Sequence, residues 1–216
     1  MGEIVFVRHG QASFGAADYD KLSDLGHRQS AWLANYFKET GASFDGLVCG
    51  GLRRHRETAA PFVDALGLDI RVDQRLNEFD YDALAERYHM NSPLAPATTR
   101  EEFLHLLPEI FFAWENDQLA GATENFSAFQ MRVDEAVDDA LQIGKSILVV
   151  SSGGPIATTL RRVLALNSRA ASDLLLNIHN TSFHRFEFEA GRLRLSQYNA
   201  SPHLEDANRR TARTYV

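Results

Sequence analysis

The chain has 216 residues, of which 44% are hydrophobic and 24% charged, and its formal net charge is −7. These proportions are ordinary for a soluble globular protein, and the length fits one large domain. The acidic balance argues against a general nucleic-acid binder, because no basic surplus is available to neutralise phosphates. We therefore expect any phosphate pocket to be local and built from a few arginines.

Cys49 is the single cysteine, which excludes an intramolecular disulfide and a multi-cysteine metal site. No apolar run approaches the roughly 20 residues that a membrane helix needs. A strand is predicted from about Glu3, which leaves no room for a signal peptide. We expect a cytoplasmic protein with no membrane partner. A homodimer is compatible with the sequence.

The first part of the chain alternates apolar strands with amphipathic helices. Ser23 is placed as an N-cap and Gly41 as a C-terminal stop of the first helix, and the second helix begins at about Arg53 and ends at Gly67. Apolar segments at residues 3–7, 47–49 and 70–76 predict strands.

Residues 80–125 differ from the rest of the chain in composition and in hydrophobic pattern. They are rich in aromatic side chains, carry Pro93 and Pro96, and show no strand pattern. Thr99 and Glu102 form a capping-box pattern for a helix in which Pro108 is expected to cause a kink or a restart. We interpret this stretch as a helical insertion that caps a cleft.

The rest of the chain returns to strands and helices. The pattern predicts a helix over 126–144, a buried strand over 147–150, a helix after the turn 151–155, a short helix over 172–178, and a hairpin of strands 182–189 and 192–198. The polar tail, residues 201–216, is compatible with a cover over the cleft, a subunit contact or a mobile end. Together the elements predict a single α/β domain over 1–216, a three-layer sandwich with a mainly parallel central sheet flanked by helices, and a helical cap at about 80–125.

Candidate site residues lie just beyond three predicted strand ends. In parallel sheets the ligand crevice lies at the carboxyl ends of the strands, so His9, Cys49–Gly51 and Ser151–Gly154 are expected to converge there. Arg8 offers a planar fork of donors that matches phosphate oxygens, and His9 is a nucleophile or proton carrier near neutral pH. Gly10 permits close approach of backbone amides to a ligand.

A second group of charged residues is compatible with the same pocket. Arg53, Arg54 and Arg56 open a helix, although cations are disfavoured at the positive end of the helix dipole. This placement suggests an anion partner for at least one of them. Glu78, if it faces the arginines, is suited to general acid catalysis.

Four segments resemble the histidine phosphatase superfamily, the phosphoglycerate-mutase-like fold. They are Arg8-His9-Gly10-Gln11, Leu52-Arg53-Arg54 with Thr58-Ala59, Leu76-Asn77-Glu78, and Val149-Val150-Ser151-Ser152-Gly153-Gly154. The resemblance implies a phosphoryl transfer with His9 as nucleophile, Glu78 as acid and base, and Arg8 and Arg54 as a phosphate clamp. It further implies phosphate contacts from Gly10, Gln11, Ser152 and Gly153, and neither a metal nor a cofactor.

The chain departs from the family pattern at Ser152, where the family has a second histidine. A serine hydroxyl donates a hydrogen bond but carries no charge. Since a charged hydrogen bond exceeds a neutral one by about 1 kcal/mol or more, we expect the chemistry to be slowed about tenfold or more. His55, His179 and His184 are the candidates to replace the missing group.

Two classes of function follow. The first is a phosphatase that hydrolyses a small phosphorylated substrate, and a phosphoglycerate mutase is a less favoured variant of the same chemistry. The second is a catalytically weak protein that binds a phospho-ligand or serves as a scaffold. Ser152 favours the second class, whereas the intact His9 and Glu78 favour the first.

Overall fold

The computed structural model of the protein describes residues 2–13, 20–92 and 97–215; Pro93 and Pro96 lie outside these residues. The described chain forms the strands β1 (Gly2–Arg8), β2 (Gly46–Cys49), β3 (Ile70–Val72), β4 (Ser146–Ser151), β5 (Phe183–Glu189) and β6 (Arg192–Ala200). Its helices are α1 (Asp24–Glu39), α2 (Arg53–Leu66), α3 (Tyr81–Asn91), α4 (Arg100–Glu115), α5 (Phe126–Ala140), α6 (Gly153–Leu164) and α7 (Ser168–Asn177).

The strands form one mixed sheet in the order β3-β2-β4-β1-β5-β6. Strands β1 to β4 are mutually parallel, and β5 and β6 add an antiparallel hairpin beside β1. The predicted hairpin turn is confirmed by Ala190 and Gly191, which have φ values of 51° and 75°. The predicted α/β fold with a mainly parallel sheet is therefore confirmed.

The two faces of the sheet pack on separate helical layers. Alternate β1 side chains point to opposite faces, since Val5 and Val7 pack with α1 and α2 while Ile4 and Phe6 pack with the layer that contains α4 to α7. The second layer holds an aromatic cluster of Phe79, Phe111, Trp114, Phe126 and Phe129. The result is the expected three-layer sandwich. Whether residues 80–125 act as a cap over a substrate stays a prediction.

Helix ends follow their local signals closely. The Ser23 side chain accepts the amide of Gly26 at the start of α1, and Gly67 ends α2 with a left-handed φ of 68°. Thr99 and Glu102 form the complete capping box of α4. These interactions satisfy amide and carbonyl groups that a helix leaves unpaired at its ends.

Four local predictions are wrong in detail. The helix predicted over 126–144 ends at Ala140. Strand β3 stops at Val72, because the Asp73 carboxylate accepts the amide of Arg75 and turns the chain into a 3-10 helix, Gln74–Leu76. Helix α4 runs through Pro108, which excludes the restart, since residues on both sides of the proline are buried in the core, while the alternative of a kink stays a prediction. Helix α7 begins at Ser168, one turn before the predicted start at 172, with Asn167 as its N-cap.

Candidate active site

The predicted convergence at the carboxyl ends of the strands takes place. Backbone hydrogen bonds join the loops that follow β1, β2 and β4: the amide of His9 donates to Ser151 O over 2.8 Å and that of Gly50 to Val150 O over 3.0 Å. Leu76 O accepts the Ser151 hydroxyl at 2.7 Å, which brings the segment before Glu78 to the same edge.

Arg8 and His9 are both buried at the end of β1, with 5% and 7% of their surfaces exposed. The Arg8 guanidinium donates through Nη1 to the carbonyl of Ile178. The backbone of the same pair is fixed by the segment before β5, because Thr181 N donates to Arg8 O over 3.0 Å and Asn180 Nδ2 donates to His9 O over 3.0 Å. Residues from both ends of the chain thus hold this turn.

The His9 ring is oriented by its own loop. Its Nδ1 lies 2.7 Å from Gly10 O, and because a carbonyl can only accept, Nδ1 carries the proton and Nε2 carries the lone pair. Burial, with further contributions from the cations Arg54 and Arg8, lowers the His9 pKa well below its ordinary value. The imidazole is therefore neutral near pH 7, with a nucleophilic nitrogen available.

Gly10 occupies a crowded position between β1 and α1. A Cβ atom there would lie 2.6 Å from Gly26 O, so only glycine fits without a backbone shift. Its amide donates to Thr58 Oγ1 over 2.9 Å, and the Thr58 hydroxyl donates to Arg54 O over 2.7 Å. Thr58 therefore ties the His9 loop to the first turn of α2, which explains the role of a threonine at this place.

Arg54 is the arginine of its segment that is buried at the site, whereas Arg53 and Arg56 are exposed. Arg54 Nη1 forms an ion pair with Asp20 Oδ1 over 2.7 Å. Asp20 also accepts the backbone amide of Arg53 over 2.6 Å, so one carboxylate holds both the start of α2 and the guanidinium. An anion partner is expected for at least one of the three arginines, and for Arg54 the partners include a carboxylate of the chain itself.

Glu78 faces the N-terminus of α6. Its Oε2 accepts the amide of Gly154 over 3.1 Å, and its Oε1 accepts that of Phe79 over 3.2 Å. Burial raises the Glu78 pKa, and the Gly154 amide and Arg54 oppose this shift without cancelling it. A carboxyl with a raised pKa that lies near two arginines is suited to donate a proton.

Of the three histidines considered as replacements, the structure brings one to the site. His55 Nε2 lies 2.6 Å from Ser152 Oγ, and the His55 and His9 ring centroids are 5.8 Å apart. His184 is instead turned to β6, where its Nδ1 accepts the amide of Asn199 over 3.2 Å. His179 is half-buried against Tyr215 in the tail.

Comparison with known proteins agrees with this geometry. Residues 4–201 match the histidine phosphatase superfamily (branch 1). The chain belongs to this superfamily. A curated relative, "Probable phosphoglycerate mutase GpmB" of Yersinia pestis, is 25% identical over 204 residues, which cover 88% of this chain and 86% of the relative.

Solved structures share the histidine phosphatase fold. A mycobacterial glucosyl-3-phosphoglycerate phosphatase with inorganic phosphate matches with a TM-score of 0.68 and 22% identity over 95% of this chain and 100% of that one. A phosphoserine phosphatase of Entamoeba histolytica in complex with 3-phosphoglyceric acid matches with a TM-score of 0.70 and 18% identity over 94% and 100%. These similarities extend the fold assignment to nearly the whole chain.

The candidate site also includes a residue that the sequence analysis did not single out. Gln29 is fully buried in α1 and accepts the Gln11 amide over 2.9 Å. Gln11 itself is predicted to bind phosphate, but its side-chain oxygen accepts the Ser23 hydroxyl over 2.8 Å. A phosphate contact from Gln11 would therefore come from Nε2, and it stays a prediction, as does that of Gly153.

A further unpredicted residue, Arg132 on α5, holds the loop that carries Glu78. Its Nη1 donates to Arg75 O over 2.6 Å and to Asn77 O over 2.8 Å. Its Nε and Nη2 donate to the two carboxylate oxygens of Glu124. An arginine within an amphipathic helix gives no sequence signal for such a contact.

The C-terminal tail packs against the residues that hold the loop around His9, and whether it also covers the cleft stays a prediction. Gln29 Nε2 donates to Ala212 O over 2.6 Å and to Thr214 Oγ1 over 2.9 Å. The Thr214 hydroxyl donates to Asn180 Oδ1 over 2.9 Å, and Asn180 N donates to Thr214 O over 2.8 Å. The tail is thus joined to the two side chains that hold the loop around His9.

Within residues 2–13, 20–92 and 97–215, no group of three His, Cys, Asp or Glu side chains is arranged to hold a metal ion. No helix in that part of the chain combines the length and apolar character needed to cross a membrane.

Proposed function

We propose that this protein is a phosphomonoester hydrolase that works through a phosphohistidine on His9. The observation that carries the proposal is the state of the His9 ring: Nδ1 donates to Gly10 O, and the lowered pKa leaves Nε2 unprotonated beside two buried arginines. A neutral nitrogen next to cations that attract a phosphate is the arrangement that in-line attack requires.

The first half of the reaction transfers the phosphoryl group to the enzyme. Nε2 of His9 attacks phosphorus while the bond to the leaving oxygen breaks, and the Glu78 carboxyl gives its proton to that oxygen. Arg8 and Arg54 stabilise the charge on the equatorial phosphoryl oxygens. The raised Glu78 pKa supports the acid role, because it increases the protonated fraction near neutral pH.

The second half releases phosphate. A water molecule attacks the phosphorus of phosphohistidine, the ionised Glu78 takes its proton, and the N–P bond breaks to restore neutral His9. Glu78 thus ends the cycle protonated, as it began. The lowered His9 pKa makes the imidazole a good leaving group as a neutral ring, so no proton has to be supplied to it.

The test is hydrolysis of p-nitrophenyl phosphate in the presence of EDTA, together with rapid-quench trapping of an acid-labile phosphoenzyme. We expect turnover in the native protein, a trapped phosphohistidine, and loss of both in His9→Ala. His105→Ala, which removes an exposed histidine from α4, is the control and should behave as the native protein. Activity that survives His9→Ala would overturn the mechanism.

The alternative is a phospho-ligand binding protein, and Ser152 is the feature that favours it. It predicts orthophosphate binding that depends on Arg8 and Arg54 without any turnover. A mutase is the less favoured third possibility and would move a phosphoryl group between two hydroxyls of one substrate. Release of free phosphate, counted against alcohol product, separates hydrolase from mutase.

A further inference from the structure

His55 and Ser152 form a buried pair at the centre of the site. The Nε2 to Oγ distance is 2.6 Å, and neither residue has any exposed surface. The two come from separate elements, the first turn of α2 and the N-cap position of α6. Ser152 makes no capping hydrogen bond with its side chain, although serine at this position commonly does. Its hydroxyl is engaged by His55 instead.

The His55 ring is fitted to this place by its surroundings. A Cβ atom on Gly50 would lie 2.1 Å from His55 Nδ1, so the ring occupies space that only a glycine at residue 50 leaves open. The opposite end of the ring, Nε2, reaches Ser152, and the ring plane is tilted 39° from that of His9. The imidazole is thus held between the loop after β2 and the start of α6, beside the nucleophile.

The direction of the hydrogen bond follows from the two ring nitrogens. Nδ1 is buried and has no hydrogen-bond partner within the described chain. A proton on Nδ1 would be an orphaned buried donor, which proteins avoid more strictly than an orphaned acceptor. We therefore assign the proton to Nε2, which donates it to Ser152 Oγ. This arrangement leaves the Ser152 hydroxyl proton available to a third group.

We propose that His55 and Ser152 act as one donor unit, in which His55 Nε2–H donates to Ser152 Oγ and the Ser152 hydroxyl donates to a phosphoryl oxygen. The unit does the work of the second histidine that the superfamily pattern places at residue 152. The inference rests on the proposed function for the identity of the ligand, a phosphate ester or phosphate. Ser152 would be the catalytic residue, and His55 the residue that positions and polarises it.

The chain of two hydrogen bonds explains why a serine suffices here. A hydroxyl that accepts a hydrogen bond becomes a stronger donor, because the bonds polarise one another in a site of low dielectric. The fixed Nε2–H also turns the hydroxyl proton away from His55 and towards the pocket. His184 cannot supply this effect, since its Nδ1 accepts the Asn199 amide and its ring lies against Tyr198.

The experiment measures kcat/KM and inhibition by vanadate for a double-mutant cycle of His55→Phe and Ser152→Ala. Each single change should lower kcat/KM about tenfold and weaken inhibition by vanadate to a similar extent. The double variant should lose no more kcat/KM than the worse single variant. His55→Gln, whose Nε2 can still donate, should recover part of the loss. Ser172→Ala removes an equally buried serine from α7 and should leave kcat/KM within about twofold of native.

A second test moves the histidine from residue 55 to residue 152, and it does not require that His55→Phe folds. Ser152→His alone should lower activity, because the new ring would collide with His55. His55→Ala combined with Ser152→His makes room for that ring and should restore at least the native kcat/KM. A double swap that stays as impaired as Ser152→His alone contradicts the proposal.

The outcomes separate this inference from the proposed function. If hydrolysis depends on His9 but the effects of His55→Phe and Ser152→Ala multiply independently, or His55→Phe equals native, the donor unit is wrong and the phosphatase stands. If no His9-dependent hydrolysis exists, the proposed function fails. In that case the same double-mutant cycle is measured by the affinity for orthophosphate. The donor unit is wrong if the two single variants lose affinity additively, or if neither loses affinity.

Discussion

Gly154 and Glu78 are in direct contact: the Gly154 amide donates to Glu78 Oε2 over 3.1 Å, and a Cβ atom on residue 154 would lie 2.0 Å from Oε1. The same Cβ would lie 2.7 Å from the ring of Phe79, which is packed in the aromatic cluster. The Glu78 carboxylate, which we propose as the general acid, therefore packs directly on the backbone of a glycine.

Gly154→Ala should displace Glu78 and reduce kcat about a hundredfold for an alkyl phosphate, since a positioned general acid contributes about 10²–10⁴. The loss should be smaller for p-nitrophenyl phosphate, whose leaving group needs little protonation. Alanine is also the better helix former at this place in α6, so any loss of stability would come from the steric conflict. If kcat fell equally for the two substrates, Glu78 would not be a general acid that depends on Gly154 for its position.

Glu78 should also control the alkaline side of the pH profile. Burial raises its pKa, so kcat/KM for an alkyl phosphate should fall as rising pH ionises the carboxyl. In Glu78→Gln this limb should disappear and the rate should be low throughout. An alkaline limb that is unchanged in Glu78→Gln would assign it to another group.

The raised Glu78 pKa also predicts how the stability of the protein depends on pH. Because the folded pKa lies above the unfolded value, the folded protein binds more protons above pH 4.5, and ionising Glu78 costs stability as pH rises through that window. Glu78→Gln should therefore raise the urea midpoint at pH 7.5 and change it little at pH 4. A lower midpoint at pH 7.5 would contradict the raised pKa.

Arg132 should act on catalysis from a distance. Its guanidinium holds Arg75 O and Asn77 O, so Arg132→Ala frees the loop that ends at Glu78. Since a misplacement of about 1 Å can cost about a hundredfold, we expect kcat to fall tenfold or more with little change in KM. Arg162→Ala is the matched control, because Arg162 pairs with Asp134 and Asp138 and touches no residue of the site. Native kcat in Arg132→Ala would contradict the positioning role.

Local signals explain which parts of the fold were predictable. Ser23, Thr99 and Gly67 mark helix ends because their side chains or backbone angles act within one turn. The Asp73 turn that ends β3 is also local, since its carboxylate accepts an amide two residues on, and it could have been found from the Asp-x-Arg sequence. The helix does not restart at Pro108, because burial of the neighbouring residues outweighs the lost hydrogen bond.

The candidate site could be predicted in part by two routes. The rule for parallel sheets locates His9 and Ser152, and the family resemblance locates Arg54 and Glu78. Asp20, Asn180 and Gln29 could not be located in this way, because each acts through a partner far away in sequence and is an ordinary polar residue locally. The choice of His55 over His184 likewise needed the three-dimensional structure, in which the first turn of α2 and the start of α6 meet and His55 Nε2 lies 2.6 Å from Ser152 Oγ.

Buried histidines should make the protein acid-sensitive between pH 6.5 and 5. His184 and His203 have pKa values lowered to about 3 by burial, so they stay neutral when folded but are protonated in the unfolded chain below pH 6.5. The unfolded state then binds more protons, and stability falls as pH falls, by about 2 kcal/mol for each such histidine at pH 5. The urea midpoint should be clearly lower at pH 5 than at pH 7.5.

His184→Asn isolates one contribution to this acid sensitivity. The asparagine oxygen can still accept the Asn199 amide, but the side chain does not titrate. The variant should lose stability at pH 7.5 from imperfect packing, and its midpoint should depend less on pH between 5 and 7.5 than that of the native protein. A pH dependence as steep as the native one would show that His184 is protonated in the folded state.

The tail should support catalysis through Thr214. Its hydroxyl accepts from Gln29 and donates to Asn180, and these two side chains bind the backbone of Gln11 and His9. Thr214→Val keeps the shape but removes both hydrogen bonds and leaves buried polar groups with fewer partners, at a cost of about 1–3 kcal/mol. We expect a lower melting temperature and a several-fold lower kcat, measured with p-nitrophenyl phosphate.

Thr211→Val is the control for this change, because Thr211 is exposed three residues earlier in the same tail. It should match the native protein in both melting temperature and kcat. If Thr214→Val lowers the melting temperature but leaves kcat unchanged, the tail stabilises the fold without positioning His9. If the tail acts through the loop of the proposed nucleophile His9, kcat should fall without a change in KM, since Thr214 contacts Gln29 and Asn180, which hold that loop.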